Sequence, residues 1–154
     1  MSGALDHRTF VIRRLLPGSP AHAFRFWSDH ALKRQWNSCH RDWDVLEDRF
    51  DFRDDGIEHL VWRTPEGVVQ EMLAHFFEIA ERERIVYAYT MRKDGRSFSS
   101  SLVTVEFEGK PSGTQMTFTE QAMFLDPRDG DIREKGTGLG FDCLAEVIQA
   151  ALAN

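Results

Sequence analysis

The order of patterns along the chain predicts an α+β fold: one strand, two short helices, a run of about six strands and one long closing helix. Three observations carry that expectation. Residues 101–108, SLVTVEFE, place Val103, Val105 and Phe107 on one face and Thr104, Glu106 and Glu108 on the other, the period of a half-buried strand. The turn signals TPEG, KDG and GKPSG, at 64–67, 93–95 and 109–113, stand at hairpin spacing and imply antiparallel pairing. After Asp129 the period changes to that of a helix, with Phe141, Leu144, Ile148 and Leu152 on one stripe and Asp142 and Glu146 facing away.

Taken in order, residues 9–16, TFVIRRLL, are bulky and β-branched, and PGSP then breaks the strand. Ser19 offers an N-cap hydroxyl and Pro20 suits a first helical turn; Ala23, Phe24 and Trp27 follow at helical spacing. Residues 30–36 hold a second short helix with Leu32 and Trp36 on one side. DWDVLEDRFDFR reads as a strand, and DDG at 54–56 turns the chain. RIVYAYTM groups Ile85, Tyr87, Tyr89 and Met91 on one face, and TQMTFTEQAMF groups Met116, Phe118, Ala122 and Phe124.

A chain of 154 residues with 42% hydrophobic content suffices for one core, so a single domain is expected over 1–154, its core spanning about 9–153. Lys and Arg number 19 against 25 Asp and Glu, a formal charge of -6, and no basic run appears. Nucleic acid and anionic membrane are therefore not expected partners. Cys39 and Cys143 form no zinc-binding spacing, and a reduced, cytoplasmic pair fits them; no metal or other cofactor is among the expectations. Residues 1–8 hold no apolar leader core, and no window reaches the roughly 18 unbroken apolar residues of a membrane span.

REKGTGLGFDCL, at 133–144, spaces three glycines just ahead of the apolar helical stripe. A phosphate cradle would need a preceding strand and a Lys-Ser or Lys-Thr close, and neither is present. The expectation is instead that these glycines let the helix start approach a sheet closely.

These segments resemble the activator of heat-shock-protein-90 ATPase homologue-like group, within the superfamily of START-related lipid-transfer proteins, polyketide cyclases and birch-pollen allergens (SRPBCC). SPAHAFRFWSDHALKRQW is similar to the group's opening helix pair, which ends in a tryptophan, here Trp36. FDFRDDGIEH resembles a D-x-R-x-G-G-x-E stretch through Asp51, Arg53, Gly56 and Glu58, with Asp55 replacing the first glycine. RERIVYAY and the later SLVTVEFEGKPSGTQMTFTE are similar to its strand and late hairpin, and Arg133, Glu134, Gly136 and Thr137 match an R-E-x-G-T helix start. The resemblance implies a helix-grip fold: a curved antiparallel sheet of about seven strands wrapped around the long C-terminal helix, with two short helices after the first strand.

In such folds the gap between sheet and helix is commonly an apolar pocket with a few placed polar groups. Strand phase and motif match nominate Trp36, Glu58, Trp62, His75, Tyr87, Tyr89, Met116, Phe118, Glu120 and Phe141 as ligand-binding residues. His75 is grouped with Leu73, Phe77 and Ile79 by strict alternation. Glu120 shares the face of Met116 and Phe118, where a carboxylate must be paired, hydrogen-bonded or neutralised. The alternatives stay open: each tyrosine a core aromatic, His75 a core or surface histidine, and Glu58 one half of an ion pair with Arg53 or with a charge near the last helix. No nucleophile pairing is legible; Cys39 beside His40 is adjacency only. Glu120 and His75 are the acid/base candidates if the protein is an enzyme of cyclase or hydrolase type on a polyketide-like ligand. Binding of a small hydrophobic or aromatic molecule without catalysis is the leading expectation. A chaperone partner is implied by the group's name alone, and a homodimer through a sheet edge or the early helices stays open.

Overall fold

The computed structural model describes residues 4–37 and 42–153; Cys39 and His40 lie outside them. Seven strands form one antiparallel, curved sheet in the order β1-β7-β6-β5-β4-β3-β2. They are β1 (Asp6–Leu16), β2 (Asp44–Phe50), β3 (Ile57–Arg63), β4 (Val69–Ala80), β5 (Arg84–Lys93), β6 (Arg96–Lys110) and β7 (Gly113–Phe124). Between β1 and β2 lie α1 (Pro20–Ser28) and α2 (His30–Asn37), and α3 (Pro127–Ala153) closes the chain. The two helices carry the chain from one sheet edge to the other, since β1 and β2 are the edge strands.

The expected start of α1 and the turn at 54–56 are present. Ser19 caps α1, its hydroxyl accepting the His22 N–H at 3.2 Å, with Pro20 in the first turn. At the β2–β3 turn Asp55 takes φ 64, and a Cβ on Gly56 would stand 2.1 Å from the Asp51 carbonyl oxygen, which accounts for the glycine.

Alternation sorts the sheet into two faces. Val103, Val105, Phe107, Met116, Phe118 and Phe124 are buried on the inner face, against Trp27 and Trp36 of the short helices and Phe141, Leu144 and Ile148 of α3. The apolar stripe of α3 holds as far as Ile148; Leu152 is half-exposed beside Gly18. Arginines of β1 fix the other flank of α3: Arg8 reaches Asp131 at 3.0 Å, and Arg14 reaches Asp142 at 2.9 Å.

One strand departs from strict alternation. The β4–β5 register shifts between Phe76 and Glu78. Phe76 opposite Tyr87 and Ile79 opposite Ile85 both point inward, although three positions separate them. Leu73, His75 and Phe77 therefore face outward and are exposed. The grouping of His75 with Ile79 on one inner face is corrected by this bulge.

The glycines of α3 also differ from expectation. The helix begins at Pro127, so Gly136, Gly138 and Gly140 sit in its middle rather than at its start. A Cβ on Gly136 or Gly140 would meet nothing within 4 Å, so neither serves a close approach to the sheet. Gly130 is the glycine of α3 with a close neighbour, since a Cβ there would stand 2.5 Å from the guanidinium end of the Arg8 side chain.

Candidate functional site

A cavity of ≈ 330 Å³ lies between α2, α3 and the inner face of the sheet. This is at the lower end of the roughly 300–1,000 Å³ that small-molecule sites occupy. Its apolar walls are Trp27, Trp36, Met72, Phe118, Ile132 and Phe141. The aromatic walls lock one another: Trp27 and Trp36 have ring centroids 4.9 Å apart, as do Phe118 and Phe141, and Trp36 Nε1 donates to the Phe26 carbonyl at 2.8 Å. Gly136 and Gly140, one helical turn apart, form the part of the α3 wall where no side chain intrudes.

Two polar groups of the cavity are built around carboxylates. The first is Glu120, on β7 and fully buried. Its Oε2 accepts from Tyr89 at 2.8 Å, from Ser101 at 2.7 Å and from Arg133 Nη1 at 3.2 Å. Arg133 descends from α3, donating also to the Tyr89 hydroxyl at 2.8 Å and to Ser99 at 2.8 Å, with its guanidinium over the rings of Tyr89 and Phe124. Glu120 Oε1, by contrast, is buried with no hydrogen-bond partner. Burial pushes the Tyr89 hydroxyl up, Arg133 pulling against it and Glu120 adding to it, so the phenol stays a neutral donor. Tyr87, beside it, is raised for the same first reason.

The second is Glu58, on β3. It accepts from Lys33 at 2.6 Å and from Arg34 at 2.7 Å, both on α2, and Arg34 also reaches Asp48 at 2.7 Å. Burial alone would raise the Glu58 carboxyl, but the two cations outweigh it and hold it below its ordinary value. Lys33 faces the opposite balance. Burial is the largest influence and lowers it, Glu58 resists, and Arg34 beside it adds to the lowering. The ammonium is further held over the rings of Trp27, Phe50 and Phe76.

Of the ten nominated residues, Trp36, Glu58, Tyr87, Tyr89, Phe118, Glu120 and Phe141 meet at this cavity. Met116 is buried core and does not line it. Trp62 shares the face of Glu58 but lies further along β3, where its ring meets Trp43 at 6.4 Å. His75 lies on the outer face. Glu58 pairs with α2 rather than with Arg53, which pairs with Asp51 at 2.8 Å.

Strand reasoning missed the helical contributors Lys33, Arg133, Gly136 and Gly140. A signal existed for Lys33, three positions before Trp36 on the same side of its helix, and for Arg133 and Gly136 in the R-E-x-G-T match. Among the described residues no cluster of three or more His, Cys, Asp or Glu is placed to hold a metal ion. No described helix is long and apolar enough to cross a membrane.

The model of the family described as Activator of Hsp90 ATPase homolog 1-like protein matches residues 17–150. An uncharacterised protein from Rhizobium leguminosarum has a structure similar to this one at TM-score 0.89 and 40% identity, covering 96% of this chain and 97% of that one. The Mll3558 protein from Rhizobium loti is similar at TM-score 0.84 and 34% identity, over 94% and 99%. An AHSA1-like protein from Aeromonas hydrophila shares the fold at TM-score 0.69 and 17% identity, over 96% of each chain. No curated protein sequence matches the chain.

Proposed function

The chain belongs to the Activator of Hsp90 ATPase homolog 1-like family, and on that premise we propose that it binds a small, largely apolar or aromatic molecule in the cavity between α3 and the sheet. One observation carries this reading. Gly136 and Gly140 leave a stretch of the α3 wall bare, opposite a lining of Trp27, Trp36, Phe118 and Phe141. Glycine inside a helix costs about 1 kcal/mol relative to alanine. Two such residues one turn apart, with open space in front of each, are accounted for by keeping that space open.

Native mass spectrometry of the freshly purified protein, before and after denaturation, tests the reading. A discrete extra mass lost on denaturation, and absent from Gly140→Leu, is the expected result. An extra mass retained in Gly140→Leu would place the ligand elsewhere and overturn it.

A second reading is favoured by one feature, the buried Glu120 oxygen without a partner. A carboxylate oxygen beside a bound molecule is placed to take a proton from it, the step a cyclase or hydrolase of polyketide-like ligands requires. Turnover of a bound ligand that is abolished in Glu120→Gln while binding persists would establish it; unchanged turnover would remove Glu120 from any mechanism.

A further inference from the structure

We propose that the ligand of this cavity carries a neutral hydrogen-bond donor, a hydroxyl or N–H on an otherwise apolar ring system, that binds Glu120 Oε1. The inference rests on the cavity-binding reading above and names the chemistry that the site recognises.

The two oxygens of Glu120 are served unevenly. Three donors converge on Oε2, from Tyr89, Ser101 and Arg133, while Oε1 is buried without one. A buried carboxylate oxygen left unpaired is costly, and more so than a neutral acceptor. Glu120 is one of the residues that line the cavity, so a donor on a molecule bound there is the candidate partner for Oε1, reached by a small adjustment of the fully buried side chain.

Charge then narrows the donor. Arg133 neutralises Glu120, and Lys33 and Arg34 balance Glu58 and Asp48. An ammonium on the ligand would enter beside Arg133 and add an unbalanced cation to a low-dielectric site. A carboxylate or phenolate would meet a carboxylate oxygen directly. A neutral hydroxyl or N–H satisfies Oε1 without either penalty. The aromatic walls and the bare Gly136–Gly140 strip take the remaining apolar part.

The same asymmetry fixes what a substitution would do. In Glu120→Gln the donors of Tyr89, Ser101 and Arg133 require the amide oxygen in the place of Oε2. The amide NH2 is then turned toward the position of Oε1, and the acceptor becomes a donor.

The test compares 2-naphthol with 2-methylnaphthalene, near-isosteric probes that differ in the donor. Binding to the wild-type protein, Glu120→Gln and Gly140→Leu is followed by tryptophan fluorescence below the ionisation range of naphthol. The wild-type protein is expected to prefer naphthol by roughly tenfold or more, the worth of a hydrogen bond to a charged acceptor. In Glu120→Gln that preference should fall to about threefold or less, and Gly140→Leu should weaken both probes. The wild-type comparison stands alone if Glu120→Gln fails to fold. Equal wild-type binding of the two probes, with both weakened by Gly140→Leu, would overturn the donor inference and leave the cavity reading intact. Absence of binding by either probe would overturn both for aromatic ligands of this size, and a naphthol preference unchanged in Glu120→Gln would move the donor's partner away from Glu120.

Discussion

Lys33 Nζ lies 2.6 Å from Glu58 Oε1, and the two side chains are 6% and 2% exposed, so a buried ion pair forms part of the cavity lining. Its members are not equivalent. Glu58 also has Arg34, whereas Lys33 has Glu58 alone within ion-pair distance among the carboxylates of the described residues. Glu58→Leu is expected to destabilise the fold by about 3–5 kcal/mol, because it strands Lys33 and removes one of the two carboxylates that Arg34 pairs with. Lys33→Met is expected to cost less, since Arg34 still serves Glu58. Urea unfolding of both single variants and the double variant checks the order; a larger cost for Lys33→Met would contradict it.

Acidification should act through the same carboxylate. Glu58 is held below its ordinary value of 4.5 in the folded protein, so its contribution to stability is complete above that value and is lost as pH falls through the lower, folded one. Wild-type stability is therefore expected to drop on going below about pH 4.5, and Glu58→Gln, already less stable, to drop by less. Urea midpoints across that range read the difference; equal slopes would show that Glu58 is not the group responsible.

The glycines of α3 should separate by environment. Gly136→Ala and Gly140→Ala are each expected to raise stability, by up to about 1 kcal/mol, because a Cβ meets open space and helix propensity improves. Gly130→Ala is expected to gain less than either, because the added carbon displaces the Arg8 guanidinium, which must readjust its pairing with Asp131. Thermal unfolding of the three variants tests this. Destabilisation by Gly140→Ala would mean that the helix wall is not bare there.

His75 should be silent. It is exposed on the outer face, so His75→Ala is expected to change stability by no more than about 0.5 kcal/mol and leave ligand binding unaltered. Loss of binding in this variant would restore it to the site.

How much of this was legible in the sequence follows from where strict periodicity holds. Tyr87, Tyr89, Phe118 and Glu120 lie on strands whose local alternation is unbroken, and their inward placement was readable. Strict alternation groups His75 with Ile79, but one bulged residue at Phe77 shifts the phase between them, so of the two alternatives the surface one holds; nothing in the local composition marks the bulge. Lys33 and Arg133 were missed for a different reason. Each is a charged residue on a helix, where a solvated face is the ordinary expectation, and only the tertiary need of Glu58 and Glu120 for cations draws them inward. The glycines were noticed, but their role depended on whether they begin the helix or lie within it, and the helix starts at Pro127.

The four tryptophans provide the most direct test that the cavity is a binding site. Trp27 and Trp36 line it, while Trp43 and Trp62 meet each other outside it. Their indole N–H signals, assigned in a heteronuclear NMR spectrum, would be followed while small aromatic fragments are titrated into the protein. The expected result is saturable movement of the Trp27 and Trp36 signals with those of Trp43 and Trp62 unmoved. Fragments that move only Trp43 and Trp62, or none of the four, would contradict the account.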